Sequence, residues 1–221
     1  MKSVIKHIVG KTYKPLLVRY LSKTRQYRHG DICLEIPPEV FHPAFFFSTQ
    51  LLLQYIEGIA LQGKRFLELG AGSGLISIHA AKKGAIVTAT DINPIAIECL
   101  QKNSQENRQS LTIIESDLFL NIPIQSFDVI AINPPYYKKQ PQTFKDYAWC
   151  CGENGEYFEN LFARLGDYVH NNTGCYMVLF DGCDMNMIHS KAAHHGYHLQ
   201  CVHSVKNILE KNFIFTITKT K

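Results

Sequence analysis

Leu67-Glu68-Leu69-Gly70-Ala71-Gly72-Ser73-Gly74 joins two different rhythms in this chain. Arg65 to Leu69 is a short apolar run of the kind that forms a buried strand, and Leu75 to Lys83 has the spacing of a helix closed by Gly84. Three glycines between a strand and a helix let the backbone turn sharply and approach a ligand, while the helix start offers unpaired N–H groups. The spacing is G-x-G-x-G. A dinucleotide fingerprint requires glycine at position 75, which is Leu75, and a P-loop at Gly10-Lys11-Thr12 fails because Ile5 stands where its first glycine belongs.

The same unit then repeats. The pattern predicts strand Ile86–Thr90, helix Pro94–Asn107, strands Thr112–Ile114 and Val129–Ile132, and a loop rich in proline and aromatic residues. Helix Glu156–His170, strand Tyr176–Phe180, helix Met187–His195 and closing strands near His198–Val205 and Phe213–Thr218 follow. Alternating strands and helices predict an α/β domain with a mostly parallel sheet, helices on both faces, and ligands at the carboxyl ends of the strands. Upstream, Asp31 to Ile36 alternates like a hairpin strand, Pro37-Pro38 ends it, and Ser48 to Ile56 reads as a helix. The expected division is a basic N-terminal extension with a hairpin over 1–36 and the main domain over 37–221.

With 221 residues, 46% hydrophobic, 19% charged and a mean hydropathy of −0.10, the chain suits one packed domain and excludes disordered, collagen-like and coiled-coil classes. No apolar run approaches the roughly 18 residues of a membrane helix. Lys6, His7 and Lys11 interrupt any secretory leader, so a cytoplasmic location is expected. Seven cysteines lack paired zinc spacing and read as buried free thiols. His194-His195-x-x-His198, with His189 and His203, lacks the H-E-x-x-H spacing and a neighbouring carboxylate in sequence, so it reads as a polar helix end and no metal is expected. Net charge is +4, yet residues 1–30 hold eight Lys/Arg and no Asp/Glu, a basic arm suited to a polyanion such as RNA or to plain solvation.

Acids end the successive strands. Asp91 stands 17 residues after Gly74, where a carboxylate accepts both hydroxyls of a ribose. Asp117 is placed to accept from an adenine amino group between Ile92 and Leu118, and Glu68 opens the glycine turn; together these point to a nucleoside site. At the end of the fourth strand stands Asn133-Pro134-Pro135-Tyr136. Consecutive prolines remove two donors and force extended backbone, leaving acceptors beside an aromatic ring. The Asn133 side-chain oxygen and the Pro134 carbonyl suit the two hydrogens of a planar NH₂ group stacked on Tyr136.

These motifs, in this order, resemble the class I S-adenosylmethionine (SAM)-dependent methyltransferases, and among them the group with N-P-P-Y that methylates amide or exocyclic amino nitrogens. The likeness is best from about Gly30 to Phe180. It implies a Rossmann-like, seven-stranded, mostly parallel sheet with an antiparallel edge strand near the C-terminus. It also implies SAM as methyl donor, cofactor contacts at Thr49, Glu68, Gly70, Ala71, Gly72, Gly74, Asp91, Ile92, Asp117, Leu118 and Asn133, and Asn133, Pro134, Pro135 and Tyr136 as the catalytic segment. Phe45 and Phe46 are expected to help Thr49 cover the cofactor.

A narrower resemblance is to the HemK/PrmC protein-glutamine methyltransferases, small-domain form, through Cys151 to Phe158 and Ile32 to Thr49. That family's P-R-P-E-T-E segment appears as His42-Pro43-Ala44-Phe45-Phe46-Phe47-Ser48-Thr49, and in place of its long N-terminal helical domain stands a basic stretch of about thirty residues. The implied substrate is macromolecular and not membrane-bound. A protein glutamine is slightly favoured; an RNA or DNA base, at adenine N6 or guanine N2, is the alternative, and a non-catalytic SAM- or RNA-binding module is a third.

Overall fold

The computed structural model describes residues 19–207 and 210–220, so the first half of the basic arm, including Leu16 and Leu17, lies outside the described residues. Strands β1 (Arg25–His29) and β2 (Ile32–Ile36) form an antiparallel hairpin whose turn carries Gly30 at φ +58°. Alternation decides how it docks: Ile32, Leu34 and Ile36 are buried, while Cys33 and Glu35 point outward. The free edge of β2 is hydrogen-bonded by two asparagines one turn apart on helix α3 (Pro94–Glu106 and its cap). Asn107 Oδ1 accepts from Cys33 N at 3.0 Å and Asn103 Oδ1 from Glu35 N at 2.8 Å.

Helix α1 (Phe47–Glu57) leads to β3 (Arg65–Leu69), α2 (Leu75–Lys82), β4 (Ile86–Asp91), α3, β5 (Thr112–Glu115) and β6 (Phe127–Ile132). The C-terminal half adds α4 (Glu156–Arg164), β7 (Val169–Phe180), α5 (Met185–His194), β8 (Tyr197–Lys206) and β9 (Lys211–Lys219). The seven-stranded sheet has the order β5-β4-β3-β6-β7-β9-β8. The first five are parallel; β9 runs antiparallel to both β7 and the outermost β8, so the antiparallel pairing at the C-terminal edge comes from a hairpin folded back into the sheet. Each β3 residue serves one face: Phe66 packs with Leu34, Leu52 and Leu100, and Leu67 with Ile130, Phe158 and Ile188 on the other.

The expected helix over 156–170 stops at Arg164. Gly166 follows, the chain tightens into a 3₁₀ turn over Leu165–Tyr168, and Tyr168 is drawn wholly inside. Its ring stacks on Phe119 at 4.4 Å and its hydroxyl donates to Ile122 O at 2.9 Å, so Val169 emerges in line to pair with Phe127. The thiols divide: Cys99, Cys151, Cys175 and Cys183 are buried as expected, whereas Cys33 and Cys201 are exposed on strands. No helix among the described residues is long and apolar enough to cross a membrane. Strand order reverses between β3 and β6, and the carboxyl ends of these two strands open a crevice there.

Candidate active site

The glycine turn forms one wall of that crevice. Gly70, Gly72 and Gly74 have φ of +74°, +54° and +87°, a conformation that side-chain-bearing residues rarely adopt. Gly70 has open space where a Cβ would stand, and with Ala71 and Gly72 it lines the cleft. Gly74 works differently: a Cβ there would overlap Leu100 of α3, so it serves close helix packing behind the cleft and is the one expected cofactor residue not on its wall.

The three acids converge on the same space. Asp91 Oδ2 accepts from Gly72 N at 2.8 Å and Oδ1 from Asn93 N at 2.9 Å, so two backbone amides fix the carboxylate and leave its remaining lone pairs for a ligand. Burial raises its pKa and the two N–H groups oppose that. Glu68 is sealed beneath the loop with Ser77 Oγ donating to it; burial pushes its carboxyl up to about 8, so it is mostly protonated at neutral pH. Asp117 sits on a turn in which Leu118 adopts φ +48°, held by Ser116 Oγ donating to Leu118 O at 2.9 Å. A left-handed leucine costs about 1–2 kcal/mol, so this turn is a place where packing holds strained backbone. Ile92 and Leu118 both line the cleft, as does Asp117, whose pKa burial raises.

Opposite lies Asn133 to Tyr136, at the end of β6. Asn133 Nδ2 donates to Thr49 Oγ1 of α1 at 3.1 Å, which holds the amide one way round and frees Oδ1. Pro134 and Pro135 are buried. Tyr136 is wedged by edge-on contacts with Phe180 at 4.6 Å and Tyr137 at 4.7 Å, and burial raises its phenol pKa. The backbone beyond is clamped, since Tyr136 N and Tyr137 N both donate to Trp149 O, at 3.0 and 2.8 Å.

Other cleft residues carry no sequence signal. Glu39, Val40 and Phe41 arrive from the segment before α1, where Glu39 O accepts from Asn93 Nδ2 at 3.1 Å. Phe144 and Tyr147 come from a 3₁₀ turn capped by Thr143 and Asp146, and Tyr157 from the first turn of α4. Tyr147 thus lines the cleft, while Trp149 lines a smaller pocket beside it. Phe45 and Phe46, expected to cover the cofactor, do not line the cleft: Phe45 packs on Tyr20 and His42, and Phe46 stands behind Phe41, which does line it, and against Trp149. Between its walls the cleft is open to solvent.

The expectation that no carboxylate joins the histidines is also corrected. The fold brings Glu159 of α4 against His194 and His195 at the end of α5.

Comparison with known proteins agrees with this architecture. The family model of the small methyltransferase domain matches residues 37–150. A putative protein N5-glutamine methyltransferase of Methanocaldococcus jannaschii is 36% identical over 144 residues, covering 62% of this chain and 71% of that protein. A tRNA1(Val) (adenine(37)-N6)-methyltransferase of Shewanella loihica is 37% identical over 91 residues, 37% of each chain. In fold, the T. thermophilus 16S rRNA N2 G1207 methyltransferase in complex with AdoMet and guanosine superposes with TM-score 0.62 at 16% identity, covering 90% of this chain and 50% of that one. The chain therefore belongs to the small-domain methyltransferase family, whose methyl donor is S-adenosylmethionine.

Proposed function

We propose that the cleft transfers a methyl group from SAM to a planar amide or exocyclic amino nitrogen, with Gly70, Ala71, Gly72, Asp91, Ile92, Asp117 and Leu118 on the cofactor side and Asn133 to Tyr136 on the acceptor side. The observation that supports the reading is the Thr49–Asn133 hydrogen bond, which engages Asn133 Nδ2 and leaves Oδ1 without a protein partner among the described residues, on a cleft wall shared with Pro134. The donor set suits SAM: the bare face of Gly70 leaves room for the ligand's chain, and Asp91 has lone pairs for ribose hydroxyls. The Asp91 and Asp117 carboxylates also give the cleft a potential that favours a cation.

SAM supplies an electrophilic methyl carried on a sulfonium sulfur. The protein's part is to position and polarise the acceptor. A carboxamide or arylamine nitrogen is a poor nucleophile because its lone pair is delocalised; acceptors at Asn133 Oδ1 and Pro134 O, each holding one N–H, favour charge on that nitrogen as the new bond forms. Tyr136 provides a flat face for the acceptor plane. Orientation of this kind carries much of the acceleration, and no dedicated base is needed before the nitrogen becomes cationic.

A protein glutamine is the first reading of the acceptor, supported by the relative whose length this chain mostly spans. One observation favours a nucleic acid base: Tyr137, Phe144 and Tyr147 stand 54%, 52% and 38% exposed near the acceptor side, with Lys139 and Lys145 exposed among them, a combination suited to stacking single-stranded bases. The test is transfer of radiolabelled methyl from SAM into extract from a strain lacking the protein, followed by protease or nuclease. Label is expected to require Asn133, with Asn133→Ala binding SAM normally but losing at least about 10²-fold in rate, the scale of one oriented polar partner. Unchanged turnover in that variant would refute the assignment.

A further inference from the structure

The histidines at the end of α5 play no part in the cleft. In sequence they lack a carboxylate; in the fold Glu159, 35 positions before His194, supplies one. One ligand atom from each of Glu159, His194 and His195 lies within 4.8 Å of the others. Consecutive helical residues normally diverge, but His195 is the helix cap, at φ −93° and ψ 13°, and the two rings meet edge-on with centroids 5.0 Å apart.

We propose that Glu159, His194 and His195 form a site for a divalent first-row metal ion, with Zn²⁺ as its probe, that ties α4 to α5. Two imidazoles and one carboxylate are the donors that borderline cations of this row prefer, and three protein ligands leave a fourth position for water. Glu159 Oε1 lies 2.6 Å from His195 Nε2, a gap now bridged by a proton. An ion held at about 2.0–2.1 Å from each ligand needs them roughly 3.3 Å apart, which small side-chain rotations supply while they draw in the exposed His194. The second carboxylate oxygen stays with Lys191 Nζ at 3.0 Å, so the carboxylate is already oriented by an outer hydrogen bond, as ligating carboxylates commonly are. Side-chain exposures of 40% at Glu159 and 21% at His195 give the ion a path from solvent. Glu159 is two residues from Tyr157, so a bound ion would brace the helix turn that lines the cleft.

The test is calorimetric titration of the metal-free full chain with ZnCl₂, with thermal melts alongside. One ion per chain is expected with Kd at or below roughly 10 µM, weaker than four-ligand structural sites, together with a rise in Tm. His194→Ala is the cleanest variant, because this exposed ring makes no hydrogen bond to Glu159: it is expected to weaken Zn²⁺ binding at least tenfold while leaving the metal-free Tm unchanged. Glu159→Gln should weaken binding similarly, and Cys33→Ser with Cys201→Ser should leave it intact. Absence of stoichiometric binding, or binding that survives His194→Ala and Glu159→Gln, would show an ion-pair cluster only and overturn the proposal. Either result is independent of the methyl-transfer reading.

Discussion

Replacing Thr49 with valine keeps the side chain's shape and deletes the hydroxyl that accepts from Asn133 Nδ2 at 3.1 Å. A neutral hydrogen bond of this kind contributes about 1 kcal/mol net. Between two amide orientations that is roughly a fivefold preference, since about 1.4 kcal/mol corresponds to tenfold. Without it, half or fewer of the Asn133 amides present oxygen to the acceptor, and those that do are held less sharply. The expected loss in kcat is therefore about 2- to 10-fold, well short of the Asn133→Ala loss, because the carbonyl itself survives. Single-turnover methyl transfer at saturating SAM measures the rate, and titration calorimetry measures SAM affinity, expected to be unchanged. Thr49→Ser, which restores the oxygen, should recover most of the rate. Wild-type turnover in Thr49→Val would refute the orienting role; a tenfold loss of SAM affinity at unchanged kcat would instead make Thr49 a cofactor contact.

Asp91→Asn should weaken SAM binding at least about tenfold, because hydrogen bonds to a charged group contribute about 1.5–3 kcal/mol and an amide NH₂ turned toward Gly72 N or Asn93 N meets another donor; an unchanged dissociation constant would exclude Asp91 as the ribose acceptor. Gly74→Ala should lower stability in urea by about 2 kcal/mol or more, combining the left-handed conformation at φ +87° with overlap against Leu100. Glu68 ionises near pH 8 when folded and near 4.5 when unfolded, so the native state binds the extra proton between these values and stability falls as pH rises through that window, then levels off. Glu68→Gln should flatten that slope by a few kcal/mol across pH 5 to 8, read as Tm against pH; an identical slope in both proteins would contradict the buried, protonated carboxyl.

Much of the site was legible because its signals are local. Gly70, Gly72 and Gly74 must be glycine for reasons internal to one turn, Asp91 ends a strand visible from its own apolar run, and two consecutive prolines constrain their own backbone wherever they stand. Helix ends were less legible: the stop at Arg164 depends on Tyr168 finding Phe119 and Ile122, contacts 46 and 49 residues away, which override a helical pattern that continues in the sequence.

Sequence alone determined the alternation of strands and helices, the glycine turn and the extended Asn133–Tyr136 segment, because periodicity and backbone constraint act over a few residues, and the resemblance those motifs carry gave the methyltransferase class. Tertiary structure decided which distant groups share a space. It set Thr49 against Asn133 across 84 positions, turned Asn103 and Asn107 onto the edge of β2, folded β9 between β7 and β8, withdrew Phe45 and Phe46 from the cleft, and delivered Glu159 to two histidines that had no acid beside them. Those placements follow from how apolar faces pack and how buried polar groups are paired, and that depends on the whole chain rather than any window of it.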